Sequence, residues 1–75
     1  MAYELMEVLL AGGKRQVVVY NIDGLYVVSV YKFDLSALRD FRRTDGLLVR
    51  REDTLLQKAL AECVLKLVDD GAAVP

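Results

Sequence analysis

The chain contains no histidine and no tryptophan, and its 75 residues include one cysteine and one proline. A single cysteine cannot form an internal disulfide, and without histidine the usual ligand sets for zinc and haem are missing. We therefore expect no cofactor and no metal ion. Catalysis by histidine is also excluded, and neither Ser29 nor Ser36 has a base partner in the sequence. These absences predict a protein that is not an enzyme.

Long apolar runs are missing as well. No segment approaches the roughly 18 residues of a transmembrane helix, and the N-terminus lacks a basic region followed by an apolar stretch. We expect a soluble, cytoplasmic protein that does not bind membranes. Asparagine and glutamine are scarce, whereas valine, leucine and arginine are plentiful. This thermophile-like composition suggests a heat-adapted source.

The length predicts one small domain over residues 1–75, with residues 72–75 as a loose tail. A chain of this size buries only about 60% of the surface that its unfolded form exposes, so its core is marginal. Disulfides and metals cannot compensate here. Hydrophobic residues make up 55% of the chain, which is high for this length. We therefore expect a homodimer to complete the core.

Residues 16–33, with the sequence QVVVYNIDGLYVVSVYKF, predict a β-hairpin. The order Asn-x-Asp-Gly at 21–24 suits a three-residue loop with a glycine bulge, in which Asn21 faces Leu25 and Tyr20 pairs with Tyr26. A two-residue Asp-Gly turn is the alternative, and it shifts the register by one residue.

Both faces of this hairpin are apolar. We expect one face to carry Val17, Val19, Val27 and Tyr31, and the other to carry Val18, Tyr20, Val28 and Val30. A half-exposed hairpin would alternate apolar with polar residues, so this one needs cover on both sides. Either this short chain or a second copy must supply that cover.

Two segments leave alternatives open. Residues 3–11 have apolar residues at helical spacing, but the β-branched Val8 and the glycines that follow favour a strand in a meander. Residues 35–51 predict either a short helix through about Arg43 followed by a strand, or a second hairpin with its turn at 44–46. Residues 47–49 are a short strand under both interpretations.

The C-terminal helix, at about 54–69, is the clearest helical prediction. Thr54 and Gln57 match a capping box, and the charged residues of the helix fall within one narrow arc. Because a sheet covers only one side of a helix, Leu65 and Val68 need another segment or a partner chain. The predicted fold class is α+β: a small antiparallel β-sheet with the hairpin 16–33 at its centre, packed by this amphipathic helix and completed by homodimerisation.

Charge is distributed unevenly, although the net charge is −1. Residues 32–51 contain six basic and three acidic residues, and arginine's planar guanidinium suits phosphate oxygens. A nucleic-acid-binding site would comprise Lys32, Arg39, Arg42, Arg43, Arg50 and Arg51. We favour the simpler interpretation that these side chains form a solvated face, because carboxylates are interleaved with them.

These patterns predict a small non-enzymatic module for protein–protein interaction and assembly that acts as a homo-oligomer. It would present its sheet edge or its last helix to a partner. A second copy of the chain is the favoured partner, and another protein is the alternative. The predicted interface consists of Tyr20, Tyr26, Leu56, Leu60, Val64, Leu65, Leu67 and Val68. The alternative is a small nucleic-acid-binding or regulatory protein that uses the arginine-rich middle segment.

Overall fold

The computed structural model describes residues 2–10, 13–33 and 42–69, so the predicted tail at 72–75 lies outside the described residues. The elements are β1 (Ala2–Leu10), β2 (Gly13–Ile22), β3 (Leu25–Tyr31), β4 (Leu47–Asp53) and α1 (Leu56–Asp69). The strands form one antiparallel sheet in the order β1-β2-β3-β4. The predicted α+β class, with an antiparallel sheet packed by a C-terminal helix, is confirmed.

The N-terminal segment is a strand, which confirms the favoured alternative. β1 pairs with β2 along its whole length, from Ala2 opposite Asn21 to Leu10 opposite Gly13. A ladder of this length satisfies backbone groups on both strands. Pairing with the hairpin therefore outweighs the helical spacing of the apolar residues in this segment.

The hairpin turn has two residues, so the predicted three-residue loop is wrong and the Asp-Gly alternative is correct. Asp23 and Gly24 both have positive φ, at 53° and 85°, as a type I′ turn requires. Ile22 therefore faces Leu25. Asn21 Oδ1 accepts a hydrogen bond from Gly24 N at 3.1 Å. The type I′ turn matches the natural twist of the two strands, which the alternative loop would have to reach through a bulge.

The observed register also corrects the predicted grouping of side chains on the two faces. A shift of one residue moves every β3 side chain to the opposite face relative to β2. One buried cluster contains Val17, Val19, Val28, Val30 and Val49, and the other contains Val18, Tyr20, Val27 and Tyr31. The expectation that both faces of the hairpin are covered is confirmed.

The sheet continues into β4 after a turn at residues 44–47. Leu47 N donates to Thr44 O at 3.1 Å, and Gly46 has a φ of 75°, as the third position of a type II turn requires. The predicted strand at 47–49 is confirmed and extends to Asp53. The predicted middle helix falls mostly on residues 34–41, outside the described part of the chain, and Arg42 and Arg43 at its predicted end are not helical.

The C-terminal helix is confirmed, although α1 begins at Leu56, two residues after the predicted start. The hydrogen bond at its start comes from Leu55 N, which donates to Asp53 Oδ1 at 2.9 Å. Asp53, the last residue of β4, therefore takes the place of the predicted Thr54–Gln57 capping box. Its carboxylate lies at the positive end of the helix dipole, where negative charge is stabilising.

Candidate interaction surface

The inner side of α1 packs on the half of the sheet formed by β3 and β4. Ala59, Cys63 and Leu67, spaced by four residues, are the buried residues of the helix. Ala59 has no exposed surface, and its small side chain lets the helix approach the strands closely. Leu56 and Leu60 flank this row and are half-buried against the same core.

Cys63 is part of this inner side and is chemically quiet. Its thiol donates a weak hydrogen bond to Val28 O, with an Sγ–O distance of 3.6 Å. Burial raises the pKa of the Cys63 thiol to about 11, so at neutral pH almost none of it is the reactive thiolate. Its side chain belongs to the core, at 2% exposure.

The outer side of α1 presents apolar residues to solvent. Val64, Leu65 and Val68 are 54%, 63% and 48% exposed, and the small Ala61 lies exposed among them. We call Ala61, Val64, Leu65 and Val68 the outer stripe. The prediction that Leu65 and Val68 remain uncovered by the sheet is confirmed. A helix of 14 residues that is apolar on two opposite sides needs a second packing partner.

The predicted interface residues divide between the interior and the surface. Tyr20 and Leu67 are buried within the chain, at 1% and 5% exposure, so they add no accessible surface. Tyr26, Leu56 and Leu60 are half-buried against the core. Val64, Leu65 and Val68 remain, which places the accessible part of the predicted interface on the outer stripe.

The predicted basic cluster is divided by the sheet. Arg50 and Arg51 are consecutive residues of β4, so their side chains leave the strand on opposite faces. Lys32, Arg42 and Arg43 are exposed near the turns at either end of the segment that joins β3 to β4. Arg39 lies outside the described residues. The sheet therefore separates Arg51 from Arg50, whose guanidinium contacts the backbone of Arg43.

Arg50 takes part in a polar network beside the second buried cluster. Its Nε donates to Ser29 Oγ at 3.0 Å, and its Nη2 donates to Tyr31 Oη at 3.2 Å and to Arg43 O at 2.7 Å. Tyr31 Oη also donates to Arg43 O at 2.8 Å. The guanidinium thereby ties β3 and β4 to the segment before β4. Its role is structural, because most of its donors are already used inside the chain.

Sequence reasoning missed this network. Ser29, considered in the sequence only for a catalytic base, lies directly opposite Arg50 in the ladder between β3 and β4. Finding the pair required that register, and the register depends on an irregularity between Val30 and Tyr31. Composition carried no signal for it.

Arg43 is also neutralised locally. Its guanidinium forms a salt bridge with Asp45, with Nη2 3.0 Å from Oδ2 and Nε also donating to both carboxylate oxygens. The hydrogen bonds from Arg43 hold the pKa of the Asp45 carboxyl below its usual range. The pairing of arginines with interleaved carboxylates, which the sequence favoured, is thus realised at this position.

Other kinds of site find little support in the described residues. Within 2–10, 13–33 and 42–69, no three metal-ligating side chains come together. Nor does this part of the chain contain a helix with the length and apolar character needed to cross a membrane.

No protein-family model matches the chain, and searches of curated proteins and of solved structures gave no significant match. The outer stripe is therefore the candidate surface for interaction with a partner.

Proposed function

We propose that this protein is a non-enzymatic assembly module that self-associates through the outer side of α1. The observation that carries the proposal is the exposure of Val64, Leu65 and Val68. Single exposed apolar residues are normal on a soluble protein, but three on one face of a short helix form a patch typical of an interaction site.

The covered sheet strengthens this proposal. The sequence indicated that both the hairpin and the helix lacked cover, but the valines of β2 and β3, together with Tyr20 and Tyr31, are buried on both faces. The need for a partner is thereby concentrated on the helix. Of the large hydrophobic side chains that are exposed in the described residues, three lie on the outer side of α1 and Leu55 lies immediately before it.

The test is the solution mass of the wild type and of Leu65→Glu, measured by light scattering at about 50 mM and about 500 mM salt. We expect a wild-type dimer that persists at high salt, because apolar contacts are not screened. Leu65→Glu should be a folded monomer, since the dimer would bury its charge, whereas residue 65 is largely exposed in the single chain.

Two control variants separate loss of the interface from a general effect of added charge and from unfolding. Thr44→Glu adds the same charge at an exposed residue in the turn before β4 and should remain dimeric. Leu67→Glu places the charge in the core and should unfold the chain. A wild-type monomer at every concentration, or a Leu65→Glu variant that remains dimeric, would contradict the proposal.

Nucleic-acid binding is the competing proposal, supported by the exposure of the adjacent Arg42 and Arg43. Adding a short mixed nucleic-acid pool to the same samples tests it. A complex at low salt that dissociates at high salt, and that is lost in a variant with both arginines changed to alanine, would favour this alternative. A mass that is unaffected by the pool would favour the assembly module.

A further inference from the structure

The outer side of α1 has the spacing of a helix-pairing seam. Gln57, Ala61, Val64 and Val68 follow one another at intervals of four, three and four residues. This alternation keeps a row of side chains facing one partner helix, as at the a and d positions of a heptad repeat. All four residues are exposed, so the seam is accessible.

The seam is symmetric about its midpoint, which lies between Glu62 and Cys63. Reversing the helix exchanges Gln57 with Val68 and Ala61 with Val64. An antiparallel copy of the same helix would therefore place a small residue opposite a larger one in both inner layers. Alternation of small and large residues lets two helices interdigitate and approach closely. The seam is thus complementary to itself when the second helix runs in the opposite direction.

Charge favours the same direction. At 100° per residue, Lys58, Leu65 and Asp69 lie on one flank of the seam, with the basic residue near the start of α1 and the acidic residue at its end. In the part of the chain that the structure describes, neither charged side chain has an ion-pair partner. An antiparallel copy brings Lys58 beside Asp69 of the second copy at both ends of the interface. In a parallel pair this flank would instead face the side of Leu60 and Leu67, which carries no charge.

We propose that α1 pairs antiparallel with α1 of a second copy across a two-fold axis at the level of Glu62 and Cys63. The proposal rests on the proposed function and identifies which surface of the second copy covers the outer stripe. Leu65 packs over Ala61 of the second copy. The paired helices then lie between the two sheets, in the order sheet, helix, helix, sheet.

Disulfide trapping tests the direction. In the antiparallel pair, residue 57 lies opposite residue 68 of the second copy, whereas two copies of residue 57 are about 16 Å apart along the axis at 1.5 Å per residue. A disulfide needs Cα atoms within about 7 Å of each other. Gln57→Cys and Val68→Cys are prepared separately in the full chain, checked for native circular dichroism, mixed and oxidised mildly. The wild type is the control, because its only thiol is buried.

We expect the mixture to form a covalent dimer and each single variant to remain uncrosslinked. Crosslinking of Gln57→Cys with itself would establish a parallel pair and overturn the proposal. A dimer of correct mass with no crosslink in any mixture would overturn it too, because another surface would then form the interface. A monomer by light scattering refutes the proposed function itself, so the two failures are distinguishable. Ala61→Cys mixed with Val64→Cys repeats the test if an end variant folds poorly.

Discussion

At the scale of single residues, Arg50 connects several parts of the fold through hydrogen bonds. It bridges Ser29, Tyr31 and the carbonyl of Arg43, so it joins two strands to the segment that precedes β4. A lysine would keep the charge but cannot reproduce the planar fork that reaches three acceptors. The network therefore explains an arginine at this position without a ligand.

We expect Arg50→Lys to lower the free energy of unfolding by about 1–3 kcal/mol, because it removes guanidinium hydrogen bonds to the buried Ser29 and Tyr31. Denaturant titration measures the change. Arg51→Lys on the opposite face is the matched control, since among the described residues the Arg51 guanidinium hydrogen-bonds to Arg50 O and not across strands, and it should cost less than about 1 kcal/mol. Equal losses in the two variants would show that the network contributes nothing specific.

The burial of the Cys63 thiol predicts that the folded chain loses stability at alkaline pH. Its pKa is raised to about 11 in the folded chain, whereas an unfolded cysteine titrates near 8.5. The unfolded state therefore loses its proton first as the pH rises. The contribution is complete below the unfolded pKa and is lost as the pH rises through the folded value, with a slope of at most about 1.4 kcal/mol per pH unit.

We expect the wild type to lose stability between about pH 8.5 and 10.5 more steeply than Cys63→Ala. The difference between the two proteins removes the titration of tyrosines and lysines, which both share. In addition, the wild-type thiol should react with a thiol reagent far more slowly in buffer than in denaturant. Parallel stability curves, or fast labelling of the folded protein, would contradict the burial of this thiol.

At the scale of elements, the turns before β3 and β4 each contain a glycine with positive φ. Gly24 and Gly46 have φ values of 85° and 75°, where an L-residue is strained by about 1–2 kcal/mol. Their surroundings differ. A Cβ on Gly24 would meet nothing within 4 Å, whereas one on Gly46 would overlap the ring of Phe33.

We expect Gly24→Ala to cost about 1–2 kcal/mol and Gly46→Ala to cost more, because the second change also displaces the Phe33 ring. Thermal unfolding of both variants measures the costs. Phe33→Ala in the Gly46→Ala background should recover the excess over Gly24→Ala. If the two alanine variants are equally stable, the ring contributes nothing to the turn before β4.

At the scale of the whole molecule, self-association should contribute to stability through mass action. A chain of 75 residues has a marginal core, and a dimer links unfolding to dissociation. We expect the melting temperature of the wild type to rise by roughly 5–10 °C between about 5 and about 500 µM protein. Calorimetry of the wild type and Leu65→Glu measures this, and the variant should melt at a temperature that does not depend on concentration. A concentration-independent wild type would contradict the proposed dimer.

Much of the architecture could be predicted from local patterns. The Asp-Gly turn between two valine-rich segments predicts a hairpin because only a few backbone conformations connect adjacent strands. Apolar spacing from Leu56 to Val68 predicts a helix because its period matches 3.6 residues per turn. The same spacing also indicated that the sheet would not cover Leu65 and Val68, and both are exposed. For the candidate surface, the sequence therefore identified Val64, Leu65 and Val68 of the outer stripe, but not Ala61.

The sequence alone determined the types of these elements, the apolar character of both hairpin faces and the helix side that the sheet cannot cover. Each depends on the properties of neighbouring residues along the chain. The tertiary structure decided the register of β3, the burial of Tyr20 and Leu67, and the division of Arg50 from Arg51. A one-residue choice at the turn exchanges the two faces of a strand, and the competing turns differ by little in local energy. Pairing across the whole sheet was needed to make that choice.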